Sequence, residues 1–351
     1  MLTVGVDAHK RTHTAVAVDE VGREVAGWQG ANSPEGWRQV LEWVSGLAGA
    51  RRWGIEGAWN YGRGLAQYLV GTGELVYDVN PRLTAESRRR ARKTDKNDHR
   101  DALAVAMLMS READELPAVF GEDETAVLEL LSTEREDAIA EATRLRNKIH
   151  GLLLRIDPGY RSRLPTLTSK AGVRALEEYR AVDDERLQQQ QAAMVRRLAQ
   201  RLRLALEQAE ELGEEIESKA KERYSPLTKL CGVSLLTAGA LAGILGPGLR
   251  FENDAQLAAH AGVAPLEASS AGSVRHRLNR GGNRRLNAIL YRIVLTQARC
   301  SPEAKAYLAR RMTEGKSRAE AVRALKRYIV RSIWRLWREC QRAEERMPAA
   351  A

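Results

Sequence analysis

The sequence predicts an α/β domain over residues 1–115, a long helical coiled-coil arm over 116–224 and a mainly α-helical domain over 225–345. Three observations predict this order. Strand-like and helix-like patterns alternate at the start of the chain, a heptad repeat without strand patterns follows, and helical periodicity with glycine-rich and basic stretches occupies the rest. The length of 351 residues is sufficient for domains of ordinary size.

The first part begins with three strand-like runs over 2–7, 14–18 and 24–29, separated by short connections. Such spacing is typical of an antiparallel meander. Ser33 and Pro34 then mark a helix start, with the N-cap residue followed by proline at the first helical position. The apolar face of that helix consists of Trp37, Val40, Leu41 and Val44.

Two further strands are predicted over 52–56 and 74–79, and a helix over 98–110. The inward positions of this helix are Ala102, Val105, Ala106 and Met109. Three antiparallel strands followed by alternating helices and strands predict a ribonuclease-H-like α/β domain.

In the second part, apolar residues from Leu128 to Ile156 recur at alternating spacings of three and four, with Arg135 as the one interruption. This heptad pattern predicts a coiled-coil helix that ends at residues 157–159, where proline and glycine stand. A second long helix is predicted over 184–224, and the two helices would form an antiparallel hairpin or a dimerising arm. Because so long a seam needs a partner helix, we expect at least a dimer.

The third part opens with small apolar residues over 230–240. They are compatible with a helix-hairpin-helix, whose turn amides bind a nucleic-acid phosphate. Ordinary close packing of two helices explains them equally well. Helices are predicted onward to about residue 343.

The overall charge favours a polyanionic partner. Lys and Arg number 56 against 46 Asp and Glu, a formal net charge of +10, and neutralised phosphates release condensed counterions. No apolar run reaches the roughly 18 residues of a membrane span. The three cysteines lie far apart without a CxxC pair, which argues against a zinc site or a disulfide framework. With no signal-peptide pattern, we expect a cytoplasmic protein.

Four carboxylates stand at element ends. Asp7 ends the first strand, Glu56 ends the fourth, and Asp98 and Asp101 share one face at a helix start. Acids at strand ends meet in a crevice at the sheet edge, where their repulsion calls for a divalent cation. Oxygen ligands favour Mg²⁺, and Mn²⁺ is expected to substitute for it. Asp95 competes with Asp98, but the apolar helix begins directly after Asp98 and Asp101.

The segment 268–285 is rich in arginine, glycine and serine. Its arginines are predicted to contact nucleic-acid phosphates; they are Arg275, Arg277, Arg280, Arg284 and Arg285. A serine hydroxyl needs activation to act as a nucleophile, and no base stands beside Ser269 or Ser270 in the sequence. A basic loop with solvated serines is the alternative.

The stretches 4–10, 54–57, 79–81, 93–102 and 269–283 occur together in an order that resembles the DEDD transposases of the bacterial insertion-sequence one-ten family, the bridge-RNA-guided recombinases. The resemblance implies a RuvC-like first domain that binds metal through the four carboxylates. It also implies a catalytic serine at Ser270, with Ser269 as the alternative, that becomes transiently esterified to DNA. A structured guide RNA would pair with donor and target DNA, and a dimer or tetramer would assemble on DNA associated with the nucleoid.

Two other functions remain open at this point. A structure-selective endonuclease, such as a Holliday-junction resolvase, would use the same acids with water as nucleophile, but it gives the serine segment no role. A catalytically inactive nucleic-acid-binding protein would not need all four acids.

Overall fold

The computed structural model describes residues 1–47, 49–81, 83–84, 97–181, 185–247, 250–267, 276–277 and 282–345. The chain divides into two compact units, the first formed by residues 1–123 and 247–252, the second by 124–246 and 253–351. The predicted arm and the predicted C-terminal domain thus lie mainly in one unit. Among the helices in these ranges, none has both the length and the apolar character to cross a membrane.

The first unit contains a five-stranded mixed sheet of order β3-β2-β1-β4-β5. Its strands are β1 (Leu2–Ala8), β2 (Thr12–Val18), β3 (Glu24–Ala31), β4 (Arg51–Glu56) and β5 (Val76–Val79). β1, β2 and β3 form an antiparallel meander, whereas β4 and β5 run parallel to β1. The predicted strands and meander are confirmed, and this order is the ribonuclease-H-like arrangement.

Helices cover both faces of the sheet. On one face, α1 (Pro34–Ser45) and α2 (Arg63–Gly71) pack in a core that includes Val6 and Trp53. On the other face lies α3 (Asp98–Glu112), whose four predicted inward residues are all buried, followed by a 3₁₀ turn, Ala113–Glu115. The N-cap of α1 is confirmed, since the Ser33 side chain accepts a hydrogen bond from Gly36 N. The sequence prediction lacks α2, which has no capping side chain.

The second unit is built on a pair of long antiparallel helices, α4 (Glu124–Ile156) and α7 (Arg186–Arg223). Their direction follows from two contacts: Lys219 lies 3.2 Å from Glu124 near one end, and Arg201 lies 3.0 Å from Glu141 near the middle of α4. Two short helices, α5 (Tyr160–Arg163) and α6 (Lys170–Glu177), pack beside the far end of the pair. The same chain therefore covers the heptad seam, so the seam alone gives no reason for a second chain.

Behind a 3₁₀ turn, Ser225–Lys229, the buried helix α8 (Leu235–Leu245) packs against both long helices. A Cβ on Gly239 would lie 2.4 Å from the Ile216 side chain, and one on Gly243 would lie 2.6 Å from the Glu129 backbone. Close helix packing thus accounts for these two glycines. A phosphate-binding role of the preceding turn stays a prediction.

The remaining elements are α9 (Asp254–His260), the paired strands β6 (Leu266–Glu267) and β7 (His276–Arg277), and the helices α10 (Arg284–Cys300), α11 (Pro302–Thr313) and α12 (Arg318–Glu345). α12 contacts α9, α10 and α11. The predicted helical character of this region is confirmed in the ranges given above.

Candidate active site

Asp7 is placed by the close approach of β1 and α3. Alternate residues of β1 face opposite sides, so Gly5 and Asp7 both point toward α3. A Cβ on Gly5 would lie 2.2 Å from the backbone nitrogen of Ala106, which means that only glycine permits this approach. The first turn of α3 is thereby held next to the end of β1, and Asp7 is 5% exposed.

Glu56 ends β4 on the same side of the sheet. The hydroxyl of Thr84 lies 2.8 Å from Glu56 Oε1 and 3.0 Å from the carbonyl oxygen of Pro81. Thr84 is fully buried, so its hydroxyl fixes one carboxylate oxygen of Glu56. Sequence reasoning missed Thr84, because 28 residues separate it from Glu56 and its position depends on the tertiary fold.

The turn after Glu56 is anchored by a half-buried acid, Asp78 on β5. Asp78 Oδ1 accepts a hydrogen bond of 2.9 Å from Ala58 N. Burial raises the pKa of Asp78, while this hydrogen bond and the positive charge of Arg250 act in the opposite direction. Asp78 therefore serves to fix the backbone that follows Glu56.

Asp98 and Asp101 occupy the first turn of α3, as predicted. Asn97 caps the helix by accepting a hydrogen bond of 3.0 Å from His99 N. Asp101 is 4% exposed and lines the same cleft as Asp7 and Glu56, whereas the more exposed Asp98 lies at its border. Asp95 lies outside the described residues.

The four carboxylates influence one another electrostatically. The pKa of Asp7 rises from 3.8 to about 6, chiefly because burial disfavours the charged form. The negative charges of Glu56, Asp101 and Asp98 raise it further, and His9 lowers it. The structure thus brings the four predicted acids into one electrostatic cluster.

His9 belongs to this cluster, although the sequence prediction gave it no role. Its Nε2 lies 3.1 Å from Asp7 Oδ2 and 3.5 Å from Asp98 Oδ1. The available signal was its position two residues after the strand-end acid. Asp7, His9 and Asp98 each present a ligand atom, and these atoms lie within 4.8 Å of one another.

Asn32 fixes the two loops that border the cleft. Its Nδ2 lies 3.3 Å from the carbonyl oxygens of His9 and Tyr61 and 3.4 Å from that of Lys10. Its Oδ1 accepts a hydrogen bond of 3.0 Å from Trp37 Nε1. One side chain therefore connects the β1–β2 turn to the turn that follows Glu56.

These residues fit a divalent cation. Among the described residues, the buried Asp7 Oδ2 has no hydrogen-bond partner of acceptable geometry, despite its proximity to His9. A buried carboxylate oxygen without a partner is costly, and a cation satisfies its lone pairs. The remaining donors are mainly carboxylate oxygens, which suit Mg²⁺ and Mn²⁺.

Most of the predicted serine and arginine site lies outside the described residues, including Ser269, Ser270, Arg275 and Arg280. Arg277 is placed only by its backbone in β7, and exposed Arg284 begins α10. Arg285 Nε donates to Glu136 Oε2 at 2.8 Å, and its Nη1 pairs with Glu129. The structure thus places Arg285 in an intramolecular ion-pair network, and phosphate binding by these arginines stays a prediction.

Strand order and carboxylate placement define a ribonuclease-H-like protein with an acidic site at the sheet edge. A transposase model for the DEDD group of IS110 matches residues 4–158, and the model for the transposase family IS116/IS110/IS902 matches residues 224–309. A 43.6 kDa protein of insertion element IS110 from Streptomyces coelicolor is 30% identical, over 72% of this chain and 73% of the relative. The chain therefore belongs to the IS116/IS110/IS902 family of transposases.

Other relatives cover nearly the whole chain. A 44.8 kDa protein of insertion element IS116 from Streptomyces clavuligerus is 24% identical, over 96% of this chain and 94% of the relative. A 42 kDa protein of IS900 from Mycobacterium paratuberculosis is 25% identical, over 95% of each. The Thermus thermophilus RuvC structure with a Holliday junction substrate matches 34% of this chain and 99% of its own, with 16% identity and a TM-score of 0.28.

Proposed function

We propose that this transposase is a metal-dependent DNA recombinase that cleaves donor and target DNA and exchanges their strands. Asp7, Glu56, Asp98 and Asp101 would hold Mg²⁺, with Mn²⁺ as a substitute. The observation that carries the proposal is the convergence of these acids around a buried oxygen of Asp7 that lacks a hydrogen-bond partner among the described residues. When bound, a divalent ion would supply Lewis-acid stabilisation of charge on the reacting phosphate.

The surrounding side chains have supporting tasks. With a pKa of about 6, Asp7 is mostly ionised at neutral pH and can act as a ligand. Thr84 donates its hydrogen bond to Oε1 of Glu56, so the other carboxylate oxygen, Oε2, can face the cleft. Asn32 keeps His9 and the opposite turn at a fixed separation. The acids would therefore be positioned before DNA arrives.

The nucleophile in this proposal is Ser270, on the strength of the family resemblance. The serine oxygen forms a bond to phosphorus, and the bond from phosphorus to one bridging sugar oxygen breaks. The proton lost by the serine ends on the departing sugar hydroxyl, so the strand becomes esterified to the protein. The freed hydroxyl of another strand then attacks this phosphorus. The bond from phosphorus to the serine oxygen breaks, the serine takes up the proton, and the two strands are joined.

The basic segment would neutralise the phosphates during this exchange. Arg275, Arg277, Arg280 and Arg284 have the charge and geometry to contact phosphate oxygens. Arg285 can contribute only if its ion pairs with Glu129 and Glu136 open. The net charge of +10 supports nucleic acid as the partner.

Guidance by a structured RNA and assembly of at least a dimer, with a tetramer on two DNA duplexes, complete the proposal. The resemblance to the bridge-RNA-guided recombinases supports both. Sequencing the RNA that copurifies with the protein tests the first, and light scattering with and without DNA and RNA tests the second. A heterogeneous RNA pool would contradict RNA guidance, and a monomer under all conditions would contradict assembly into a dimer or tetramer.

The central experiment measures recombination with purified protein, guide RNA and plasmid substrates in Mg²⁺. Asp7→Asn should abolish strand cleavage, while Asp114→Asn, a change at an exposed acid of the same unit, should not. Normal recombination by Asp7→Asn would show that the metal-site assignment is wrong.

The serine is tested by stopping the reactions in denaturant. Wild-type protein should carry a DNA adduct that peptide mapping places at Ser270, and Ser270→Ala should lose it while it keeps nucleic-acid binding. An adduct at Ser269 would move the assignment by one residue. Cleavage without any adduct would favour water as nucleophile, as in a structure-selective endonuclease.

A further inference from the structure

A cleft in the second unit combines exposed aromatic rings with positive charge. The loop over residues 262–265 forms one wall, and α11 and α12 form the others. The lining residues of α12 include Arg323, Arg327, Tyr328 and Arg331. Arg327 and Arg331 follow Arg323 in steps of four, and Tyr328 precedes Arg331 by three, so these residues lie on one side of the helix. None of them belongs to the carboxylate site or to the segment 268–285.

Two tyrosines stand next to each other in this cleft. Tyr307 on α11 and Tyr328 on α12 have ring centroids 5.2 Å apart at an angle of 65°, an edge-to-face pair. Tyr328 is 53% exposed, so part of its ring is open to solvent. The guanidinium of Arg311 lies 5.9 Å from the Tyr307 ring, and that of Arg331 lies 5.6 Å from the Tyr328 ring. The arginines help to hold both rings in place.

The charge of the cleft is positive after its internal ion pairs are counted. Arg311, Lys316, Arg323, Arg327 and Arg331 line it, with Glu320 as the acidic lining residue.

Three acids offset part of this charge. Asp254 pairs with Arg327 at 2.6 Å and with Arg331 at 3.4 Å, and Glu314 pairs with Arg311 at 2.7 Å. The third, Glu320, accepts hydrogen bonds of 2.8 Å from the backbone nitrogen and hydroxyl of Ser317. In the part of the chain that the structure describes, Lys316 and Arg323 have no carboxylate within 4.0 Å.

We propose that this cleft binds an unpaired segment of single-stranded nucleic acid. Bases would stack on Tyr328, while Lys316 and Arg323 would neutralise the adjoining phosphates. Duplex bases are already stacked on each other and cannot reach a ring on the protein surface, whereas unpaired bases can. An acidic peptide would match the charge but would make no use of the exposed ring. The proposal rests on the proposed function for its premise that the chain handles nucleic acid.

The expected loss of binding affinity can be estimated from base stacking. Loss of one base–aromatic contact by alanine substitution costs about 1–3 kcal/mol, or about 5- to 150-fold in affinity. Tyr328→Ala should therefore weaken binding by that factor, and Tyr328→Phe, which keeps the ring, should bind like the wild type. Arg323→Gln should reduce the slope of log affinity against log salt by about 0.7, the value for one phosphate on a single strand.

The experiment is a fluorescence anisotropy titration of the full chain in EDTA, with labelled oligouridine RNA, oligothymidine DNA and a blunt DNA duplex as separate probes. The two single strands distinguish RNA from DNA as the ligand. Tyr291→Ala and Arg299→Gln are matched controls, because both residues are exposed on α10 and neither lines the cleft. Circular dichroism melting checks that each variant is folded.

The proposal is overturned if Tyr328→Ala binds both single strands as tightly as Tyr291→Ala does. It is also overturned if polyglutamate displaces the strands regardless of the ring at position 328, which would mark a general anion surface. Because EDTA removes divalent metal, binding without cleavage in Mg²⁺ would contradict the proposed function alone. Cleavage in Mg²⁺ without ring-dependent binding would contradict this inference alone.

Discussion

The raised pKa of Asp7 predicts that the carboxylate destabilises the fold at neutral pH. Its pKa rises from 3.8 to about 6 on folding. Because one pKa unit corresponds to about 1.36 kcal/mol, ionised Asp7 should lower the free energy of unfolding by about 3 kcal/mol. A raised acid pKa means that the folded chain binds more protons between pH 4 and 6, so this stability is present below pH 4 and lost as pH rises through 6.

Replacing Asp7 by Asn removes the charge and nearly preserves the shape. In EDTA, Asp7→Asn and the wild type should therefore have similar free energies of unfolding near pH 4, and the variant should be about 3 kcal/mol more stable at pH 7.5. Urea denaturation followed by tryptophan fluorescence is a suitable assay, since five of the seven tryptophans lie before residue 60. Asp114→Asn, at an exposed position, serves as the control.

Added Mg²⁺ should nearly cancel this difference. A ligand at 100 times its dissociation constant stabilises the state that binds it by about 2.7 kcal/mol, so the wild type should gain stability and Asp7→Asn should not. Parallel pH profiles of the two proteins in EDTA would refute the electrostatic reasoning. An equal gain from Mg²⁺ in both would refute the assignment of Asp7 as a ligand.

Two further predictions concern the residues that place the acids. Thr84→Val removes the hydroxyl that lies 2.8 Å from Glu56 Oε1, so it should weaken Mg²⁺ binding about 10- to 100-fold, as measured by titration calorimetry. Thr84→Ser keeps the hydroxyl and should bind Mg²⁺ normally; equal affinity of the two variants would contradict the role of Thr84. Gly5→Ala places a Cβ 2.2 Å from the α3 backbone, so it should lower the free energy of unfolding by about 1–3 kcal/mol and abolish DNA cleavage. A variant with the wild-type melting temperature would show that a side chain fits between β1 and α3.

The parts of the fold that sequence reasoning predicted correctly have strong local signals. The sheet strands are apolar runs bounded by turns, and the start of α1 carries both a capping serine and a proline. Asp7, Glu56 and Asp101 were found because strand ends and helix starts on one sheet edge must face a common crevice. Such features need only the sequence neighbours of each residue.

Features that depend on distant parts of the chain were missed. Asn32 contacts the carbonyl oxygens of His9 and Tyr61, which are 23 and 29 residues away. Steps of three and four counted from Leu128 place Leu152 on the seam of α4, but Leu153 is the fully buried residue, because α5 and α6 add contacts that a two-helix seam lacks. Periodicity describes one helix against one partner and fails where further elements pack.

The fold explains why Arg135 stands in the otherwise apolar seam of α4. It interrupts the apolar seam of α4, which from sequence is a defect. In the structure its Nε donates a 3.0 Å hydrogen bond to the carbonyl oxygen of Ala209 on α7, beside Gly213. A Cβ on Gly213 would lie 3.2 Å from that Nε, so the glycine provides the room that the arginine occupies. The interruption is therefore a specific contact that fixes the register of the two long helices.

The carboxylate site likewise contains residues that are unfavourable alone and are held in place by specific contacts. Gly5 allows α3 to approach β1 closely, and this approach sets Asp7 against Asp98 and Asp101 despite their mutual repulsion. Thr84 and Asn32 then hold the surrounding groups in place with hydrogen bonds from buried or half-buried positions. With its pKa raised to about 6, ionised Asp7 is expected to cost about 3 kcal/mol of stability at neutral pH. A divalent cation bound there, as proposed above, would offset this cost, so stability of the first unit and occupancy of the site would be two measures of the same interaction.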